Sequence, residues 1–109
     1  MKELQELIDE LHKWQRETFP QSSPISKLHH LAEEIPELIE EIEKHYHNSG
    51  DLKATELEYA DCFILLLGSA FMYGLKAEDI FRIIREKLEI NKSRIWGTPD
   101  ENGVVKHIK

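Results

Sequence analysis

Glu58-Tyr59-Ala60-Asp61-Cys62-Phe63-Ile64-Leu65-Leu66-Leu67 is the most apolar run of the chain, and it carries two acids three residues apart. Five consecutive large apolar side chains, Phe63 to Leu67, occupy every face of a helix, so this element calls for burial on more than one side. The stretch from Ala60 to Leu75 is broken by Asp61, Ser69 and two glycines, and it falls short of the roughly 20 apolar residues that cross a bilayer. It reads as a core helix, and no membrane is expected as a partner.

Outward from this run the chain divides into three further helical segments. Leu4, Leu7, Ile8, Leu11 and Trp14 recur at three- and four-residue spacing and define one face of a first helix that ends near Phe19-Pro20. Pro24 or Ser26 starts a second helix, with a stripe of Leu28, Leu31, Ile35, Leu38, Ile39 and Ile42. Asn48-Ser49-Gly50-Asp51 closes it, with Gly50 suited to the left-handed termination of a helix, and the apolar third helix runs to about Gly74. A fourth begins near Ala77-Glu78-Asp79, acids at its positive end, carries Ile80, Ile83, Ile84 and Leu88, and ends near Arg94. Turn signals at Gly97-Thr98-Pro99-Asp100 and Asn102-Gly103 precede Val104-Val105, which suits a short strand. The expected fold is all-α, a four-helix bundle-like single domain over residues 1–109 with a short C-terminal flap.

A chain of 109 residues buries only about two thirds of its unfolded surface. Together with the many-sided third helix, this predicts association into a homodimer or homotetramer. The net charge is −7, and the 14 lysines and arginines are scattered, so no surface is expected to hold a nucleic-acid backbone. Cys62, the single cysteine, cannot form an internal disulfide and behaves as a small buried hydrophobe, which suits a reducing cytoplasm. Residues Met1 to Trp14 are amphipathic and acidic, unlike a signal or transit peptide.

The chemistry lies in the acids. The second helix carries Glu33-Glu34-Ile35-Pro36-Glu37 and the third carries Glu58 and Asp61, each with an acidic pair spaced i, i+3 and therefore on one face. Two such faces beside apolar stripes can bring four carboxylates together at a helix seam. Bare, the cluster repels itself; a hard divalent cation removes the repulsion, and all-oxygen ligation favours Mg²⁺, Mn²⁺ or Ca²⁺ over zinc, with Mg²⁺ the best fit. Mg²⁺ commonly takes substrate phosphates as further ligands. The competing reading is a solvated surface: six of the eleven residues from Glu33 to Glu43 are glutamates, and Thr55-x-x-Glu58 matches a capping box. Asp61 resists that reading, because it stands directly before Cys62-Phe63-Ile64-Leu65, where a lone charge is least tolerated. The six histidines, including His29-His30 and His45-x-His47, lack cysteine partners, and no zinc is assigned to them.

The order Glu33-Glu34-x-x-Glu37, twenty residues, Glu58-x-x-Asp61 resembles the MazG-type all-α nucleoside triphosphate pyrophosphohydrolases. The run Asn91-Lys92-Ser93-Arg94-Ile95-Trp96-Gly97-Thr98-Pro99-Asp100, with Gly103 and His107 beyond it, is similar to a compact branch of dATP/dGTP pyrophosphohydrolases. The resemblance covers nearly the whole chain. It implies Mg²⁺-dependent hydrolysis of a nucleoside triphosphate to monophosphate and pyrophosphate, with Glu34, Glu37, Glu58 and Asp61 as metal ligands and Mn²⁺ as a substitute. A carboxylate among carboxylates has a raised pKa until metal binds, so Glu33 or Glu34 is the expected general base. Pro36 inside the first motif removes a helical hydrogen bond and predicts a kink that re-aims Glu33 and Glu34.

Lys87, Asn91 and Arg94 follow i, i+4, i+7 spacing at the end of the fourth helix. As residues they fit either a solvated helix end or contacts to a phosphate chain; the resemblance implies the second. Trp14, Phe19 and Trp96 are the aromatics outside the apolar run that can stack on a base, although Trp14 also fits the core stripe and Trp96 can pin the tail. Two other readings remain open: phosphoribosyl-ATP pyrophosphohydrolase, against which the tryptophan-containing tail argues, and a non-catalytic helical interaction module.

Overall fold

The computed structural model describes residues 1–48 and 52–109, with side chains at 1–44 and 52–109. Among these residues there are four helices: α1 (Lys2–Thr18), α2 (Pro24–Asn48), α3 (Leu52–Met72) and α4 (Ala77–Lys92). Among the described residues there is no strand, so the all-α expectation holds, and no single helix is long and apolar enough to cross a membrane. The turn expected at Asn48-Ser49-Gly50-Asp51 and the side chains of His45 and His47 lie outside the described residues. The chain divides into two compact units, Met1–Ala77 and Glu78–Lys109.

In the first unit, local chemistry sets the start of α2 and the end of α3. Ser23 and Ser26 exchange hydrogen bonds across the start of α2, the Ser26 N–H donating to Ser23 Oγ at 3.0 Å and the Ser23 N–H to Ser26 Oγ at 2.8 Å. Pro24 takes the first helical position, where its missing N–H costs nothing. α3 stops at Gly74, whose φ of 111° only glycine adopts readily; the Leu75 N–H reaches the Ala70 carbonyl and the Gly74 N–H that of Phe71. Pro36 does not end α2, which continues to Asn48.

Both α1 and α2 run antiparallel to α3. Ser69 Oγ donates to the Pro24 carbonyl at 2.8 Å, tying the end of α3 to the start of α2. Gln15 meets Gly68, the His12 ring lies 4.4 Å from that of Phe71, and Gln5 Oε1 accepts the Ala77 N–H at 2.8 Å, so residue numbers fall along α1 as they rise along α3. The core between them holds Ile8, Leu38, Cys62, Leu65 and Ala77. Burying Ile8 alone contributes about 2–3 kcal/mol. Phe63 and Leu66, on the other faces of α3, are exposed.

Two local expectations are corrected. Thr55 does not cap α3: the helix begins a turn earlier, at Leu52, and Thr55 is buried inside it. Val104-Val105 forms no strand. In the second unit the tail after α4 turns back on itself through one antiparallel bridge, Trp96 with His107, flanked by Gly97 N–H to Lys106 O and Ile108 N–H to Ile95 O. Asp100 Oδ1 organises the turn by accepting the N–H groups of Asn102 and Val104, and Gly103 supplies the positive φ.

Candidate metal centre

The antiparallel register of α2 and α3 brings Glu58 opposite Glu34 and Glu37, and one carboxylate oxygen from each lies within 4.8 Å of the others. Glu34 and Glu37 share a face because they are three residues apart. One turn earlier on that face, His30 Nε2 lies 3.1 Å from Glu34 Oε1. Glu58 Oε2 is buried and has no hydrogen-bond partner.

The crowding raises the proton affinity of two of these groups, Glu34 and Glu58. The hydrogen bond with Glu37 pushes Glu34 above the ordinary carboxylate range, burial and the Glu37 charge add to this, and His30 opposes it. Burial pushes Glu58 up first, followed by the charges of Glu37, Asp61 and Glu41. The Cys62 thiol next to them is raised by burial and then by Glu34, Asp61 and Glu58, which keeps it protonated and unreactive. A crowded set of hard oxygens with one buried oxygen lacking any donor fits a divalent cation.

Beside the cluster opens a cavity of about 680 Å³. Glu34, Asp61, Trp14, Phe19, Gln15 and Lys27 are among the residues that line it. Trp14 and Phe19 meet edge to face, 5.5 Å between ring centres.

Measured against the sequence-predicted set, Glu34, Glu37 and Glu58 converge. Asp61 is exposed and lies outside that trio; it faces the cavity one turn along from Glu58. Glu33 is exposed, joins neither trio nor cavity, and points about 100° away from Glu34 on the helix. Trp14 lines the cavity as expected of a stacking residue. In the second unit the ladder is broken: α4 ends at Lys92, so Arg94 lies past the helix, its Nη1 3.5 Å from His107 Nδ1, while Lys87 is exposed. Trp96 Nε1 donates to the Asn91 carbonyl at 2.9 Å and the ring meets His107 edge-on, which pins the tail.

Lys27 and Gln15 escaped the sequence reading although both are buried, at 4% and 3% exposure. Their positions carried a signal. Gln15 follows Ile8 by seven residues and Leu11 by four, and Lys27 precedes Leu31 by four and Leu38 by eleven, so each falls on the inward face of its helix.

A family model of dATP/dGTP pyrophosphohydrolases matches residues 7–109. The chain belongs to the dATP/dGTP pyrophosphohydrolase family. It is therefore an enzyme, as the carboxylate motifs implied. A dATP/dGTP diphosphohydrolase of cyanophage S-2L is 36% identical over 103 residues, spanning 94% of this chain and 86% of that protein. A solved structure, the cyanophage S-2L MazG-like pyrophosphohydrolase bound to dGDP and three catalytic Mn²⁺ ions per active site, matches with a TM-score of 0.72 and 35% identity over 95% of each chain.

Proposed function

We propose that this pyrophosphohydrolase cleaves a deoxynucleoside triphosphate between its α and β phosphates, releasing the monophosphate and pyrophosphate. The observation that carries the reading is the trio Glu34, Glu37 and Glu58, with its partnerless buried oxygen, opening onto a cavity of about 680 Å³. Glu34, Glu37 and Glu58 hold the divalent cation, Mg²⁺ or Mn²⁺, and Asp61 adds its carboxylate from the cavity wall. The bound cation supplies charge neutralisation on the phosphates and a lowered pKa for water.

The chain's own groups do the rest. Trp14 and Phe19 offer aromatic surface to the base and exclude water from its faces. Between Glu33 and Glu34, the proton of the attacking water goes to Glu34, because it lines the cavity, whereas Glu33 is exposed and lines no part of it. His30, bonded to Glu34, fixes the orientation of that carboxylate. Lys87, Asn91, Arg94 and Trp96 are the further substrate contacts that the family resemblance implies, Trp96 within a short C-terminal flap.

The working form is one catalytic domain per chain, associated as a homodimer or homotetramer in a reducing cytoplasm, with no nucleic acid or membrane as partner. Exposed Phe63, Leu66 and Leu57 on α3 support the association, and the lone buried Cys62 supports the compartment. Pyrophosphate release from each deoxy- and ribonucleoside triphosphate, with Mg²⁺, with Mn²⁺ and with chelator, tests the activity. Release that needs both metal and Asp61, lost in Asp61→Asn, is expected. A folded, metal-supplied protein that releases none rejects the proposal in favour of phosphoribosyl-ATP or a non-catalytic role.

A further inference from the structure

The exposed side of α3 carries a register of its own. Leu52, Glu56, Tyr59, Phe63, Leu66, Ala70 and Tyr73 follow one another at alternating steps of four and three residues, the heptad spacing that keeps side chains on one stripe of a helix. All of them lie in the first unit. Tyr73 still belongs to the last turn, because its N–H reaches the Ser69 carbonyl at 3.1 Å. The large apolar members, Leu52, Tyr59, Phe63, Leu66 and Tyr73, are 45 to 79% exposed, and the rings of Tyr59 and Phe63 stack with 6.3 Å between centres. Cys62, Leu65 and Ser69, which are buried, leave the helix on the other side, roughly 100–160° around from Phe63.

A stripe of this kind is a helix-pairing seam without its second helix. Large side chains at about half exposure offer on the order of 500 Å² per copy, so two copies meeting there bury on the order of 1,000 Å², the size at which an interface between proteins becomes stable. An apolar patch so large is uncommon on a monomer.

The stripe also fits its own reverse. Two α3 helices related by a two-fold axis run antiparallel, and a heptad seam then sets its two kinds of position against each other. With the axis between Ile64 and Leu65, Glu56 stands opposite the partner's Tyr73, Tyr59 opposite the partner's Ala70, and Phe63 opposite the partner's Leu66. The tyrosine hydroxyl donates to the carboxylate, the large ring fills the space beside the small alanine, and two large apolar side chains interdigitate. A parallel pair would set Glu56 against the partner's Glu56 and leave a void between two alanines. We propose that the outer face of α3 is the seam of an antiparallel, two-fold dimer of this chain, formed by Glu56, Tyr59, Phe63, Leu66, Ala70 and Tyr73. The inference rests on the homo-oligomer reading above and gives it a face and a direction. It explains a helix that is apolar all round: α1 and α2 cover two sides, and the partner's α3 covers the third. Because α3 bears Glu58 and Asp61, the seam also braces the helix that carries half of the acids.

Three measurements on the full chain test it. Sedimentation at micromolar concentration should give the mass of two or four chains for the wild type, and Phe63→Glu should halve that mass. Ala70→Tyr should weaken the pairing by about tenfold, because two tyrosines then meet, and adding Tyr59→Ala should restore it to within about threefold by moving the ring to the other helix. Both of these changes are apolar, so the size swap decides the matter even if the glutamate variant does not fold. A nitroxide on Leu52→Cys, with the wild type as control for the buried Cys62 thiol, should report about 40 Å between labels in an antiparallel pair, against about 10 Å in a parallel one. A wild-type mass of one chain would sink this inference together with the oligomer reading. An oligomer that ignores Phe63→Glu, an Ala70→Tyr chain that pairs as well as the wild type, or a label distance near 10 Å would sink this inference alone.

Discussion

Gly68→Ala sets two effects of known size against each other. In the interior of α3, replacing glycine by alanine stabilises by about 0.5–1 kcal/mol, because glycine loses more backbone freedom on folding. Against this, a Cβ at position 68 would lie 2.9 Å from Gln15 Nε2, 3.0 Å from Cδ, and still closer to Oε1. If those atoms were fixed, overpacking would cost about 1–3 kcal/mol. They are the free end of a flexible side chain beside a cavity of about 680 Å³, so the carboxamide swings into the cavity instead. The two effects then leave a net change under about 1 kcal/mol, a shift in Tm of less than about 8 °C. The displaced amide now occupies ligand space, so KM should rise by about tenfold with kcat little changed. Calorimetric melting and steady-state pyrophosphate release measure the two quantities. A Tm loss above about 10 °C would mean Gln15 cannot move, and an unchanged KM would mean that its amide does not border the substrate. The double variant Gln15→Ala/Gly68→Ala should recover part of the lost affinity, since it clears the displaced group.

Divalent metal should stabilise the wild-type chain by about 2.7 kcal/mol when the free ion is a hundredfold above its Kd, and so raise its Tm, because it binds the folded carboxylate trio and not the unfolded chain. Glu58→Gln should abolish that rise, and a variant that still responded fully would remove Glu58 from the site. The metal-free chain should show an unusual pH dependence. Glu34 and Glu58 have folded pKa values raised above the ordinary 4.5, so the folded state holds more protons than the unfolded one. Their contribution to stability is full below about pH 4.5 and is lost as pH rises through the raised values, and metal affinity should fall as the pH drops through the same window. Urea melts of the chelated protein at stepped pH test the sign, and a chelated chain whose carboxylates gain stability with rising pH would contradict it. Light scattering at micromolar concentration should give the mass of a dimer or tetramer, and a monomeric mass would reject the exposed faces of Phe63 and Leu66 as an interface.

The four helices were legible because helix signals are local. Apolar residues at three- and four-residue spacing, Pro24 after Ser23, and Gly74 after an apolar run act within a turn or two of the chain, and each did in the fold what it announced in the sequence. The pairing of acids was legible for the same reason, since residues three apart share a face wherever the helix goes. Where local signals compete, the reading failed. The capping-box match of Thr55 and Glu58 lost to a helix that starts at Leu52, and the β-branched Val104-Val105 lost to a turn held by Asp100.

Which acids meet was decided by tertiary structure alone. The Pro24–Ser69 hydrogen bond and the packing of α2 on α3 set a register that brings Glu58 to Glu34 and Glu37. A 100° step around the same helix turns Glu33 out, although the sequence presents the two glutamates as equals. The burial of Lys27 and Gln15 was fixed in the same way. A lysine and a glutamine on a helix are ordinarily solvated, and only the packing of α1, α2 and α3 buries them beside the cavity and leaves Gln15 Oε1 without a partner. The sequence by itself determined the elements and the kind of chemistry, because both depend on neighbours along the chain; the tertiary structure decided the members of the site, because membership depends on distances between residues that the chain keeps far apart.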